Sequence, residues 1–261
     1  NNEMTDKTTT ITKKKPKFYP GHKLPFIRAM DKLIFPFSLS VVIGVTLAHV
    51  ASQMEGTSKF VSLSYPMNGN MFAKGYDDCA FVFFSFCALT VARKVVSKCL
   101  FEPAASILNV RHTRKFVEQG WLIVYYTCSF SIGCHLLALR NWDIVEMMRT
   151  EVPRLYLTGI EKAFYLIQLS YWLHAVPITL TEKWRGDFVQ MSNDHIDTIG
   201  ISSLAAHSNI RTFGLMILAC SDVADIFLPL AKLFKYANFQ TLADITFAIF
   251  ALVWIPTRHG F

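Results

Sequence analysis

Four ionisable residues stand where an apolar chain least tolerates them. Asp194-His195 and Asp222-Val223-Ala224-Asp225 lie within long hydrophobic stretches. A charged side chain at the centre of a membrane helix costs about 2.5–3.5 kcal/mol on insertion scales, so such residues face a bundle interior or a water-filled cavity. Imidazole takes and gives protons near neutral pH, and it is also a nucleophile. Asp222 and Asp225 are three residues apart, which puts both carboxylates on one helix face. There they can orient an imidazole or hold an incoming ammonium. His195, Asp222, Asp225 and Asp194 are therefore the candidate site residues, with Asp194 near the mouth of the cavity that the others share.

The elements that position them follow from composition. Of 261 residues, 52% are hydrophobic and only 17% are charged, and 22 are Phe. Soluble domains carry about 25% charged residues, so the balance predicts a polytopic membrane protein. About 20 apolar residues span the hydrocarbon core as a helix. Seven stretches approach that length: Leu33–Ala51, Asp78–Val96, Gly120–Leu139, Gly159–Leu180, Phe188–His207, Thr212–Phe234 and Thr241–Pro256. The fifth is interrupted by Asn193, Asp194, His195 and Asp197, and the sixth by Ser221, Asp222 and Asp225. The seventh is short and is expected to stop at Pro256. None alternates with the period of a membrane strand, which disfavours a barrel.

Basic residues set the orientation. Residues 1–32 hold eight Lys/Arg against three acids, and the 93–119 connection holds Arg93, Lys94, Lys98, Arg111, Arg114 and Lys115. The connections at 52–77 and 140–158 are poor or balanced in charge. The alternation predicts a cytosolic N-terminus and lumenal loops at 52–77 and 140–158. The tail is too polar for a secretory signal, and no nucleic-acid-binding fold accompanies its charge. The six cysteines form no Cys-x-x-Cys pair. They are expected as buried free thiols with neither disulfide nor zinc. His135 and His174 are expected in the core or at a helix interface, and the Phe-rich stretch from Phe81 to Phe86 against lipid or core. No phosphate loop, Ser-His-Asp order or metal-ligand cluster is evident.

Several segments resemble the TLC domain of the ceramide synthase, or longevity-assurance, family in its fungal form. They are Lys115-Phe116-Val117-Glu118-Gln119-Gly120-Trp121 running into Tyr125-Tyr126, Phe164 through Trp172 with Gln168 at its centre, Asp187-Phe188-Val189-Gln190-Met191, and Arg258-His259. Asp222 through Lys232 matches most closely. Phe60 through Tyr65 and Gly75-Tyr76-Asp77-Asp78 also fit. The resemblance covers about residues 33–261. It implies an all-α membrane fold of about seven transmembrane helices, a six-helix barrel plus one N-terminal helix. It divides the chain into a basic tail (1–32), a first helix with its loop (33–77) and the TLC domain (78–261).

The function implied is transfer of a fatty acyl group from acyl-CoA to the amine of a sphingoid base. No permanently bound cofactor or metal is implied, and acyl-CoA serves as co-substrate. The implied partners are membrane lipids, the long-chain base, and a homo- or hetero-oligomer with a paralogue or a small membrane subunit. Nucleic acid is not among them. The implied location is the endoplasmic reticulum membrane. One departure matters. The family carries two adjacent histidines where this chain has Asp194-His195, and Asp197 adds a further acid. Three alternatives stay open: a catalytically silent partner of an active synthase, a lipid-binding or translocon-associated TLC protein, and, more remotely, a transporter with a proton path.

Overall fold

The computed structural model describes residues 25–52, 55–139, 157–181, 200 and 211–259. The protein there is almost wholly helical. Helix α1 (Pro25–Ser52) opens on a proline, whose missing N–H is one the first turn does not use. A short helix α2 (Glu55–Val61) and a hairpin of β1 (Pro66–Met67) and β2 (Met71–Phe72) precede α3 (Asp78–Val96). Asp78 lies in the first turn of α3 and Arg93 and Lys94 in its last, both signs matched to the helix dipole. A π-helical turn (Ser97–Phe101) leads into α4 (Glu102–Ile107). Then come α5 (Thr113–Ala138), β3 (Leu157–Thr158), α6 (Gly159–Thr181), α7 (Arg211–Tyr236) and α8 (Gln240–His259).

Five of the described helices contain stretches long and apolar enough to cross a membrane: Leu33–Ala51, Asp78–Ile107, Thr113–Ala138, Gly214–Tyr236 and Gln240–Thr257. Large apolar side chains face outward along α1 (Leu33, Leu47, Val50) and α8 (Ile245, Leu252, Ile255). Surfaces so apolar need hydrocarbon around them. The chain is an all-α membrane protein. Helix α6 occupies the fourth expected span, and the fifth, Phe188–His207, lies almost wholly outside the described residues.

Helix α1 packs on α3, α3 on α6, α5 on α7, and α7 on α8. The α7–α8 turn is tight because Asn238 adopts a left-handed φ of 65° while the Phe239 N–H reaches back to the Phe234 carbonyl. Helices α5 and α7 approach closely at Gly133, where an added Cβ would meet Ala219 Cβ at 3.1 Å. With Ser129 one turn away, α5 presents a small-x-x-x-small face, the usual means of close helix contact in lipid.

Several details differ from the sequence expectation. The 52–77 segment contains α2 and the hairpin, and 93–119 contains α4, because short polar-flanked elements give little periodicity to read. Helix α8 runs through Pro256 to His259; the proline forfeits one N–H bond to the preceding turn, a loss that membrane helices tolerate. All six cysteines are free, as expected, but Cys79, Cys99 and Cys128 are exposed and only Cys87 is buried. An outward thiol costs little where the surroundings are apolar. His135 is also exposed, whereas His174 is buried as expected.

The sheet caps one end of the bundle. Strand β2 pairs with β1 and β3, joining the hairpin to the start of α6. Lys162 of α6 is buried beneath it. Its Nζ lies 2.6 Å from Asp78 Oδ1 and donates to the Ser64 carbonyl at 2.8 Å and the Ala73 carbonyl at 2.7 Å, flanked by the Tyr65 and Phe72 rings. Removing one member of such a pair strands the other charge, at a cost of about 3–5 kcal/mol. Lys162→Met is expected to lower the unfolding midpoint in detergent markedly, and Asp78→Leu in the same chain to recover most of the loss. A Lys162→Met protein of unchanged midpoint would show the clasp to be idle.

Candidate functional site

The bundle interior is stratified. At the sheet end, Leu136 and Leu137 of α5, Phe164 and Tyr165 of α6, and Leu215, Leu218 and Ala219 of α7 form one apolar layer. Toward the other end, Trp121, Tyr125 and Tyr126 of α5 pack with Tyr171 and Trp172 of α6, joined by Leu89 of α3 and Ile226 of α7. Tyr125 and Tyr171 stack with centroids 3.3 Å apart and planes inclined by 7°.

Between these layers lies a polar one. Gln168 and Asp222 each sit about one helical turn from both, and Ser129 sits one turn from Tyr125 and Tyr126 and two from Leu136. All three are buried, Gln168 and Asp222 to within 2% of full burial. The Gly133–Ala219 contact explains the meeting of Ser129 and Asp222. In an antiparallel pair, four residues back along α5 and three forward along α7 is the next turn of contact. Ser129 Oγ donates to Asp222 Oδ2 at 2.5 Å. Gln168 Nε2 donates to Ser129 Oγ at 2.5 Å and to Asp222 Oδ2 at 3.2 Å. The Tyr125 hydroxyl donates to Gln168 Oε1 at 2.8 Å. Burying a carboxylate is costly unless hydrogen bonds replace its water; this network supplies them.

Asp225 lies one turn further toward the aromatic layer. It is half-buried, and its charge acts on Tyr126 and Tyr171. Arg93 of α3 also acts on Tyr171 and on His174. His174 is buried against Phe86, ring centroids 5.6 Å apart, and its Nδ1 has no hydrogen-bond partner among the described residues. Charges of both signs thus converge on the Tyr171 ring, from α3 and α7.

Of the residues singled out in the sequence, Asp222 and Asp225 fall at this layer. Asp194, His195 and Asp197 lie outside the described residues, as do the side chains of Arg258 and His259. Sequence reasoning missed Ser129 as a neighbour of Asp222 and Arg93 as a charge acting on Tyr171, and it placed Gln168 in a motif without giving it a task. A neutral amide in mid-span is itself unfavourable unless paired, and that signal was available for Gln168. Ser129 offered none, since serine is common where membrane helices touch.

A helical membrane bundle with a carboxylate anchored at its centre is the class these features define. Within that class, residues 115–261 match the profile of the TLC domain, and the chain belongs to the TLC-domain family. Among curated proteins, it is 32% identical over 204 residues to a sphingosine N-acyltransferase of Schizosaccharomyces pombe, covering 77% of this chain and 52% of that protein. It is 31% identical over 206 residues to a sphingosine N-acyltransferase-like protein of Alternaria alternata, covering 77% and 48%. Human ceramide synthase 5 matches at 32% over 148 residues, covering 56% and 38%. The chain spans about half the length of the fungal relatives it matches.

Proposed function

We propose that this protein transfers a fatty acyl group from acyl-CoA to the amine of a sphingoid base, within the endoplasmic reticulum membrane and with its N-terminus cytosolic. The observation that carries the reading is the similarity to proteins named for that N-acylation, across the segment that holds the polar layer. The chemistry suits the residues. The base arrives as an ammonium and must lose a proton. The free amine then attacks the thioester carbonyl, a C–N bond forms, the C–S bond breaks, and coenzyme A leaves as a thiol. His195 serves as base or acyl carrier, Asp222 orients it, and Asp225 beside the tyrosine faces draws in the ammonium. Asp194 stands at the mouth of the site. Acyl-CoA is a co-substrate, and the chain works in an oligomer with a paralogue or a small membrane subunit.

A second reading is favoured by one residue. Asp194 replaces the first histidine of the family pair, which fits a silent subunit supporting an active synthase. Expression in cells stripped of their own sphingosine N-acyltransferases separates the two. Restored ceramide supports the enzyme. Ceramide that appears only with Asp194→His, or only beside a second synthase, supports the silent subunit.

A further inference from the structure

The hydrogen bonds around Asp222 have a single direction. The Tyr125 hydroxyl donates to Gln168 Oε1, so the other end of the amide, Nε2, must face Ser129 and Asp222. Ser129 Oγ and Asp222 Oδ2 lie close together on one side of Nε2 and share one of its hydrogens. Ser129 accepts from Gln168, so its own hydrogen goes to Asp222. Every proton in the chain therefore points toward one oxygen, Asp222 Oδ2. Tyr125, where the chain begins, is itself fixed by its stack on Tyr171, and Tyr171 sits one turn from Gln168. Three helices thus contribute to the setting of one carboxylate.

Such an arrangement fixes the rotation of the carboxyl group and favours its anion. A carboxyl group turned away from these donors would forfeit both bonds, and although an acid protonated on Oδ1 keeps them, hydrogen bonds to a charged oxygen are the stronger. Neutral donors stabilise negative charge without cancelling it. A network kept only for packing would not need its donors aligned on one atom. We propose that Gln168 is a positioning residue, oriented by Tyr125 and seconded by Ser129, that holds Asp222 as an anion in the orientation acyl transfer requires. The inference rests on the acyltransferase reading and adds residues to that site.

The test uses the full-length protein and four variants: Gln168→Met, Ser129→Ala, Ser129→Thr and Tyr125→Phe. Steady-state kinetics, thermal unfolding and infrared difference spectra are recorded on each, with Asp222→Asn marking the Asp222 carboxylate band. Misplacing a reacting group by about 1 Å costs about 10²-fold. Gln168→Met is accordingly expected to lower kcat by about 10–100-fold with both KM values within about twofold. Ser129→Ala follows the same pattern, and Ser129→Thr, which keeps the hydroxyl, recovers most of the loss. Tyr125→Phe acts through Gln168, so it lowers kcat alone and adds nothing on top of Gln168→Met. The band absent from Asp222→Asn shifts in Gln168→Met.

The proposal is overturned if the Tyr125 and Gln168 effects multiply, if KM moves and kcat does not, or if activity falls only in step with unfolding midpoint. An unmoved carboxylate band also overturns it, whatever the kinetics. Should the unmodified protein form no N-acylated base, the acyltransferase reading fails instead. The band shift alone then decides whether Gln168 anchors Asp222.

Discussion

His195→Ala is expected to lower N-acylation of a long-chain base by a factor of about 10²–10⁴, the usual worth of a positioned acid–base group. The motivation lies in the sequence. His195 is preceded by Asp194, so no adjacent imidazole substitutes for it. The sphingoid amine arrives protonated, and a carboxylate such as Asp194 is too weak a base to remove that proton well near neutral pH. The loss should fall on kcat, as expected for a group that acts in the chemical step. The check is product formed per folded protein, with the folded fraction read by thermal unfolding. Turnover unchanged in His195→Ala would assign the proton transfer to another group.

Asp222→Asn is the second large effect, and the geometry makes it a clean substitution. The Ser129 and Gln168 donors fall on a single oxygen, Oδ2. An asparagine can place its carbonyl oxygen there, keep both of these bonds and turn its NH2 to the other side. The charge goes while these two bonds stay. The folded state should therefore change by no more than about 1 kcal/mol, the worth of a single hydrogen bond. Turnover should fall by at least about 10²-fold, as when one preorganised electrostatic partner is removed. Asp222→Leu should differ in kind. It leaves the Ser129 hydroxyl buried without its acceptor, costing about 1–3 kcal/mol, and it should depress stability and activity together. Equal activity in Asp222→Asn and the unmodified chain would make the acid purely structural.

The transmembrane helices were legible in the sequence for a simple physical reason. A run of about 20 apolar residues has few other uses, and the expected spans from Asp78, Gly159 and Thr212 all fall on observed helices. Asp222 was legible as a buried, partnered acid because its burial demands compensation. The compensators were not. Ser129 stands 93 residues from Asp222 and Gln168 stands 54 away. Their meeting depends on the small contact at Gly133 and Ala219, which no local pattern announces. The Lys162–Asp78 clasp was hidden likewise, since Lys162 looks like a residue at the water boundary until β1, β2 and the Tyr65 ring close over it. The hairpin itself is too short for period-two alternation to register. The exposed thiols were misplaced by a rule drawn from soluble cores, where outside means water; around this bundle it means hydrocarbon.

The most direct test of the whole account supplies the purified full-length protein, in lipid nanodiscs, with an isotopically labelled long-chain base and acyl-CoA. Mass spectrometry then follows the labelled base, and a thiol reagent follows released coenzyme A. The account predicts labelled ceramide and free thiol rising together, one for one, and both absent with Asp222→Asn and with His195→Ala. Thiol release without ceramide, or no product from a folded chain that forms ceramide only beside a second synthase, would contradict it.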